Sequence, residues 1–278
     1  MADAAQPRTY PQGVPSWVDL EVPDATVVAP FYEAVLGWTL TDAMPAGAAG
    51  RYLIATVDGQ DVAAIASGAA SIGGEAVWNT YLAVDDADAS AAAVEAAGGT
   101  ITAPPADTPG GRPVACVDPQ GAAFRLWQAG RRLGAQRVNA PGGWVFSHLH
   151  TDDPRGAIAF YSSFVPWAWS ESETAGFIRV PGYGDHLAAT SDPGIRERQR
   201  FAPPGFADAA AGFAALAPGE TPHWRVTFSV ADRETALDAV AAAGGTVEST
   251  AEDPWTRHAT VVDPLGARFD VSQFAPRR

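Results

Sequence analysis

Short stretches of alternating apolar and polar residues run along this chain, and helix-like stretches separate them. Residues 16–22 alternate in the manner of a strand, and Asp24 stands where it can cap a helix that ends near Leu36. Two short apolar runs follow, at 51–57 and 60–66. This order of elements predicts a βαβββ module.

A second module follows in the same order. Residues 77–84 favour a strand, and an alanine-rich helix over 86–97 is expected to end at Gly98 and Gly99. The remaining strands of the module are predicted at 100–102, 112–117 and 122–127. A turn with the sequence Asp-Pro-Gln-Gly precedes the last strand.

The second half of the chain repeats these elements. Strands are predicted at 145–151, 177–180, 186–190 and 224–230, with further strands up to residue 272. Helices are predicted at 153–165 and 232–243. We interpret residues 182–185, Gly-Tyr-Gly-Asp, as a hairpin turn between two short strands.

Repeated sequence indicates two homologous halves. Asp-Pro-Gln-Gly-Ala-Ala-Phe at 118–124 returns as Asp-Pro-Leu-Gly-Ala-Arg-Phe at 263–269, and Ala-Ala-Gly-Gly-Thr at 96–100 returns at 242–246. A repeat of this length in 278 residues favours two domains. We predict a flexible tail at 1–13, an N-terminal domain at 14–128, a linker at 129–143 and a C-terminal domain at 144–278.

The C-terminal domain carries an insertion that the N-terminal domain lacks, at about 191–221. It contains three aromatic residues, Phe201, Phe206 and Phe213. It is interpreted either as a lid or dimer contact, or as a surface insertion whose aromatic side chains fold back on the core.

Charge and composition exclude several classes of protein. A net charge of −14 argues against nucleic acid or an anionic membrane as a partner, since both are bound through clustered cations. All 18 cationic side chains are arginine, so Schiff-base chemistry, a pyridoxal-phosphate anchor and a P-loop lysine are excluded. The chain also has no G-x-S-x-G nucleophile motif and no G-x-G-x-x-G nucleotide motif.

Cysteine content and hydropathy predict a cytoplasmic protein. Cys116 is the single cysteine, so no disulfide can form within the chain, and its apolar surroundings favour a buried structural thiol. The first thirteen residues lack an apolar signal core, and no run of eighteen apolar residues occurs. We therefore expect neither secretion nor membrane insertion.

Three motifs, together with the tandem repeat, carry a family resemblance. They are W-x-D-L at 17–20, F-Y-x-x-x-x-G-W at 31–38 and the D-P-x-G turn before the last strand. With four βαβββ modules, the chain resembles the vicinal oxygen chelate superfamily of glyoxalase I, extradiol dioxygenases and bleomycin-resistance proteins. It looks most like the actinobacterial tandem members of this superfamily, some of which occur in aromatic-polyketide pathways as accessory proteins. The resemblance implies an α+β fold with tandem domains, each a cup-shaped mixed sheet of two modules.

The resemblance also implies where ligands would bind. The positions that hold metal ligands in the family correspond to Asp19, Asn79 and Arg125 in the first half, with a fourth near Ala63 or Ala64. The corresponding positions in the second half are His148, Arg225 and Asp270, with a fourth near Leu187 or Ala188.

Neither set supplies three metal ligands, because an arginine that stays protonated cannot coordinate a cation. We therefore expect no metal cofactor, and an ion pair between Asp19 and Arg125. If a divalent metal were present, its ligands would be His148 and Asp270. His150 or His223 could complete the set if the register shifts, and without a metal both are expected among the ligand-binding residues.

The leading hypothesis is metal-independent binding of a planar aromatic, polyketide-like metabolite. Four tryptophans on strands that line the cup in the family would stack on it, and Arg125 and Arg225 would orient its oxygens. The tryptophans are Trp17, Trp78, Trp127 and Trp224. Each has the alternative of packing in the core. The role would be that of a biosynthetic accessory, product-binding or self-resistance protein, with an enzyme of the same pathway as a candidate partner.

Two alternatives stay open. His148 and Asp270 would be catalytic in a lyase, isomerase or oxygenase, either as metal ligands or as an acid–base pair. Otherwise the first half would be a structural partner that completes an intramolecular pseudo-dimer. The chain would be a monomer containing that pseudo-dimer, or a homodimer.

Overall fold

The computed structural model of the protein describes residues 7–68, 76–169 and 176–276. The strands of the first half are β1 (Pro15–Val22), β2 (Thr39–Asp42), β3 (Arg51–Val57), β4 (Gln60–Ser67), β5 (Val77–Ala83), β6 (Thr100–Ala103), β7 (Gly111–Val117) and β8 (Ala123–Ala129). Its helices are α1 (Ala25–Leu36) and α2 (Ala87–Ala96). The predicted elements of this half are confirmed, and Asp24 and Asp86 cap the two helices.

The second half has strands β9 (Trp144–His150), β10 (Phe177–Arg179), β11 (Ala209–Ala214), β12 (His223–Ser229), β13 (Thr246–Glu252), β14 (Thr256–Val262) and β15 (Arg268–Phe274). Its helices are α3 (Pro154–Tyr161), α4 (Tyr183–Ala189), α5 (Ile195–Arg198) and α6 (Arg233–Ala242), with a 3₁₀ turn at Phe206–Asp208. Helix α3 ends four residues before the predicted 165. No helix in the described part of the chain is long and apolar enough to cross a membrane.

The strands of the described residues form two mixed sheets, one of eight strands and one of seven. Four runs of neighbouring strands build them: β2-β3-β4-β1, β5-β8-β7-β6, β10-β11-β9 and β12-β15-β14-β13. In the first run, Asp58 and Gly59 turn the β3–β4 hairpin with φ angles of 50° and 75°, and Val57 pairs with Gln60. Positive φ at both positions is typical of the turn that matches the twist of a hairpin.

The chain divides into two compact units, and each unit contains segments from both halves of the sequence. The first unit comprises Met1–Ser16, Thr80–Gly134 and Ser147–Trp224. The second unit comprises Trp17–Asn79, Ala135–Phe146 and Arg225–Arg278. The repeat in the sequence therefore does not coincide with the division into units.

An aromatic core lies inside the second unit. Tyr32 on α1 stacks on Trp38 at 5.2 Å, and its ring lies 5.5 Å from that of Phe269 on β15. Trp78 packs edge-on against Tyr32 and Phe228. Residues from both sequence halves thus fill one core, because α1 and α6 pack together in this unit.

The first unit has an equivalent core. Here the helix, α3, comes from the second half of the sequence and the strand, β8, comes from the first half. Tyr161 on α3 stacks on Trp167 at 4.6 Å and packs against Phe124 of β8 at 5.1 Å. Trp224 meets the Tyr161 ring edge-on at 5.9 Å.

The repeated glycine pairs have two separate roles. Gly98 and Gly244 adopt positive φ angles of 90° and 83° after their helices, as helix-ending glycines do. The glycine that follows each is needed for packing instead. A Cβ on Gly99 would lie 2.9 Å from Phe160, and one on Gly245 would lie 2.6 Å from Phe31.

The prediction of a strand at 186–190 is wrong. These residues lie mostly in helix α4, and Gly182, placed in a hairpin turn by the sequence, precedes this helix with a φ of 85°. A short run rich in alanine carries too little periodicity to separate a strand from a buried helix.

Strand β11 occupies the equivalent place instead and lies within the predicted insertion. It pairs in parallel with β9, as β4 pairs with β1, so that Gly212 faces His148 as Ala64 faces Asp19. The fourth position of the second half is therefore Gly212, rather than Leu187 or Ala188.

Two aromatic residues of the segment fold back, as one interpretation expected. Phe206 packs on Phe177 at 5.0 Å and Phe213 on Trp169 at 5.4 Å, whereas Phe201 is 72% exposed.

The described part of the predicted tail, residues 7–13, is held in place by the first unit. Arg8 donates a hydrogen bond to the hydroxyl of Tyr183 at 3.1 Å, and Gln12 donates one to the carbonyl of Phe164 at 3.0 Å. The carbonyl of Gly13 accepts a hydrogen bond from the Trp167 indole at 2.7 Å. Residues 7–13 therefore make specific contacts with the first unit, while residues 1–6 lie outside the described part and the flexibility of the tail stays a prediction.

Candidate functional site

A buried carboxylate with three neighbouring side chains forms a polar network in the second unit. Asp19 on β1, which is 1% exposed, accepts hydrogen bonds from the Asn79 amide at 3.0 Å and from the Tyr52 hydroxyl at 3.1 Å. The Tyr52 oxygen in turn accepts a hydrogen bond from the Trp17 indole at 3.0 Å. We call Trp17, Asp19, Tyr52 and Asn79 the Asp19 network.

Strand geometry explains why these side chains meet. Along β1 successive side chains alternate between the two sheet faces, so Val18 and Leu20 enter the core while Trp17 and Asp19 share the opposite face. A carboxylate removed from water is tolerated only when donors satisfy it, and Asn79 and Tyr52 are such donors. The sequence placed Trp17, Asp19 and Asn79 correctly on strands but gave no sign of Tyr52.

Arg125 and Trp127 lie in the first unit and flank the Tyr81 ring. The guanidinium carbon of Arg125 is 5.9 Å from the Tyr81 ring centroid, and the Trp127 ring meets Tyr81 edge-on at 6.4 Å. The Trp127 indole donates a hydrogen bond to the carbonyl of Arg132. Because Asp19 and Arg125 belong to different units, the ion pair between them stays a prediction.

Trp127 also lines a small cleft of the first unit, together with Tyr10 and Leu133. The volume of the cleft is about 160 Å³. Sites for drug-sized ligands span about 300–1,000 Å³, so this cleft is too small for a polycyclic ligand.

Trp78 and Trp224 lie in the two aromatic cores rather than on the face of the Asp19 network. They are 4% and 5% exposed, and their indoles donate hydrogen bonds to the hydroxyls of Tyr32 and Tyr161. These two tryptophans therefore pack in the cores, which was the alternative to a role in stacking on a ligand.

The second-half positions implied by the family resemblance supply two potential metal ligands, His148 and Asp270, together with an arginine, Arg225. Asp270 accepts a hydrogen bond from the Thr260 hydroxyl at 2.8 Å, and Arg225 on β12 carries a permanent cation. Among the described residues, no group of three potential ligands includes His148 or Asp270. Two potential ligands are fewer than the three that a catalytic metal of this family needs, so the residues at these positions do not fit it.

A different set of three potential ligands lies in the first unit. The set comprises His150, at the end of β9, His223, at the start of β12, and Glu220, which lies between β11 and β12. The ligand atoms of the three residues lie within 4.8 Å of one another. Nδ1 of His150 is 3.8 Å from Oε2 of Glu220, and the two imidazole rings stack at 4.6 Å.

Both histidines are candidate site residues on sequence grounds, whereas Glu220 is not. The available signal was the spacing Glu-Thr-Pro-His at 220–223, which puts a carboxylate three residues before a histidine. It was missed because these residues fell at the edge of a segment interpreted as an insertion.

Buried titratable groups elsewhere have a structural role. Burial raises the pKa of Asp118 and of Asp263, and it raises the pKa values of Tyr32 and Tyr161 well above the ordinary range. Burial also raises the pKa of the Cys116 thiol to about 12, so it does not supply a thiolate nucleophile at neutral pH.

Comparison with known proteins identifies the family. The model of the glyoxalase/bleomycin resistance protein/dioxygenase superfamily matches residues 15–126, and that of a glyoxalase-like domain matches residues 144–272. The chain therefore belongs to this superfamily, the vicinal oxygen chelate family that its motifs resemble.

Several curated proteins are similar over nearly the whole chain. The glyoxylase-like protein CFP32 of Mycobacterium tuberculosis (strain CDC 1551 / Oshkosh) is 36% identical over 97% of this chain and 98% of its own length. The anthracycline biosynthesis protein DauV of Streptomyces sp. (strain C5) is 35% identical, with 94% of each chain covered.

Among solved structures, the Mn(II)-bound glyoxalase from Novosphingobium aromaticivorans matches with a TM-score of 0.60 at 18% identity. The match covers 95% of this chain and 83% of that chain. At this identity the likeness shows a shared fold.

Proposed function

We propose that this protein binds a planar, oxygenated aromatic metabolite without a metal, as a biosynthetic accessory, product-binding or self-resistance protein. The observation that carries the proposal is the Asp19 network, which joins an indole, a phenol, a carboxamide and a carboxylate on one sheet face. Similarity to DauV, a protein of anthracycline biosynthesis, supports a polycyclic aromatic ligand of the polyketide type.

Each side chain of the network has a distinct part in this proposal. The Trp17 ring is 8% exposed, so an aromatic ligand stacks on its face only after neighbouring side chains move; such a contact adds roughly 0.5–1.5 kcal/mol beyond the burial of area. The Asp19 carboxylate accepts a hydrogen bond from a ligand hydroxyl, with Asn79 keeping it in place. Tyr52 is partly exposed and moves aside or donates to a ligand carbonyl.

Binding through stacking and hydrogen bonds needs no metal ion. Because Asp19 already accepts two hydrogen bonds, it serves here as an oriented acceptor rather than as a cation ligand. Ligand affinity is therefore expected to be unchanged in excess EDTA.

The test is a titration with 1,8-dihydroxyanthraquinone in EDTA, followed by quenching of tryptophan fluorescence. We expect Asp19→Asn to weaken binding about tenfold, which corresponds to about 1.4 kcal/mol. The matched control is Asp185→Asn, since the Asp185 side chain is 79% exposed. Circular dichroism and thermal unfolding establish that both variants fold. Absence of binding to the wild type, or equal affinities in the two variants, would rule out the proposal.

A further inference from the structure

We propose that His150, Glu220 and His223 form a binding site for a divalent first-row transition metal ion. Two imidazoles and a carboxylate are a ligand set that suits zinc and iron(II), and both ions are commonly held by three such side chains with a coordination position left open. This inference goes beyond the proposed function and does not depend on it.

The distances between the three side chains are close to those that an ion requires. Two ligand atoms of a tetrahedral zinc ion lie about 3.3 Å apart, since each bond is about 2.0–2.1 Å long. The separation of 3.8 Å between His150 Nδ1 and Glu220 Oε2 therefore exceeds this by only about half an ångström. The imidazole rings stack at 4.6 Å with an interplanar angle of 20°, so they need to turn about χ2 to direct their nitrogens at one ion.

Contacts with the backbone orient two of the ligands. Nδ1 of His223 lies 2.8 Å from the carbonyl oxygen of Thr221, and because a carbonyl only accepts, Nδ1 must donate and Nε2 is left to coordinate. Oε2 of Glu220 accepts a hydrogen bond from the amide of Ala217 at 3.0 Å. Hydrogen bonds of this kind are the usual supports of metal ligands.

The proposed site differs in its residues from the positions implied by the family resemblance. His150 lies two residues beyond His148 on β9, and His223 lies two residues before Arg225 on β12. Since a strand rises about 3.3 Å per residue, the site is displaced along β9 by roughly 7 Å. At the displaced position, strand β12 provides the histidine His223 where the family position has Arg225.

Metal binding would fix the connection between β11 and β12. Glu220 belongs to this connection, whereas His150 belongs to a strand that pairs with β11. His150 is 9% exposed, while Glu220 and His223 are partly exposed, so an ion can enter from solvent. An open coordination position on that side would be filled by water or by an oxygen of a ligand.

The experiment is a titration of untagged, EDTA-treated protein with Co(II), followed by visible absorption, together with metal analysis after incubation with Zn(II). We expect one equivalent to bind, with absorption bands of a four- or five-coordinate ion. His150→Ala, Glu220→Gln and His223→Ala should each weaken Co(II) binding by at least tenfold. Glu220→Gln keeps the size of the side chain and so tests the charge without opening a cavity.

Two further histidine variants make the result specific. His258→Ala removes a histidine of the second unit and should leave Co(II) affinity unchanged. His148→Ala should also leave it unchanged, so an equal loss in this variant would assign the ion to the position implied by the family and overturn the proposal. The proposal also fails if the wild type retains no metal, or if all three ligand variants bind as the wild type does. Anthraquinone binding in EDTA is measured separately, so failure of this site leaves the proposed function untouched.

Discussion

At the scale of single residues, the aspartate of each D-P-x-G turn contacts the tyrosine of a Phe-Tyr pair, which occurs at 31–32 and again at 160–161. Asp118 accepts hydrogen bonds from the amides of Gln120 and Ala122 within its turn, and also from the Tyr161 hydroxyl at 3.2 Å. Asp263 makes the same set of contacts in the second unit, with Tyr32 at 3.0 Å. Each motif tyrosine therefore contacts the turn of the other sequence half.

We predict that Tyr161→Phe and Tyr32→Phe each lower the free energy of unfolding by about 1–3 kcal/mol, the usual penalty for leaving buried partners unsatisfied. Either change removes the donor to a buried aspartate and the acceptor of a tryptophan indole. The two losses should be similar because the environments match. Urea unfolding of each variant measures them.

A double-mutant cycle provides the control for this prediction. Asp118→Asn should destabilise the Tyr161→Phe protein less than it destabilises the wild type, because the shared hydrogen bond is already lost. Additive losses would contradict a direct coupling between Asp118 and Tyr161.

At the scale of elements, the structure depends on how closely helices pack on the turns that follow other helices. Gly99 follows α2 and lies under the Phe160 ring of α3, and Gly245 follows α6 and lies under the Phe31 ring of α1. A side chain at either position would force the facing aromatic ring away from the core.

We predict that Gly99→Ala and Gly245→Ala destabilise the protein by about 1–3 kcal/mol through overpacking. The new methyl groups would lie 2.9 Å and 2.6 Å from ring carbons, well inside van der Waals contact. Gly194→Ala is the matched control, since its φ of −90° suits alanine and its nearest neighbour is the end of the Arg198 side chain at 3.4 Å. Thermal unfolding that ranks Gly194→Ala with the other two would contradict this explanation.

Secondary structure was predictable where the pattern was long or had a clear start. Asp24, Asp86 and Asp232 each begin a helix as expected, because a side-chain cap is a local signal. The region from α4 to β11 was misassigned because its alanine-rich stretches are compatible with either structure. Pairing of β11 with β9 selects the strand, and that pairing joins distant parts of the chain.

At the scale of the whole molecule, each compact unit is built from both halves of the sequence. Phe31 and Tyr32 of the first half pack against Phe269 of the second. In the other unit Phe124 packs against Phe160 and Tyr161. Neither sequence half therefore contains all the residues of either aromatic core.

We predict that residues 1–134 and 135–278, when produced separately, do not fold as monomers. Each fragment would expose the aromatic surface that normally meets the other half, and should self-associate or bind a hydrophobic dye. Co-expression should yield a one-to-one complex with native near-ultraviolet circular dichroism. Size-exclusion chromatography distinguishes these states, and a monomeric fragment with cooperative unfolding would show that the division into units is not energetically important.

The sequence by itself determined the tandem modules, most of the helices and strands, and the family, because these follow from short-range periodicity, caps and repeated motifs. It also placed Trp17, Asp19 and Asn79 on strands and brought forward His150 and His223. Only the tertiary structure decided that Tyr52 joins Asp19, that Glu220 joins the two histidines, and that Trp78 and Trp224 lie in the cores. Such pairings depend on which distant segments are buried together, and the local pattern carries no information about that.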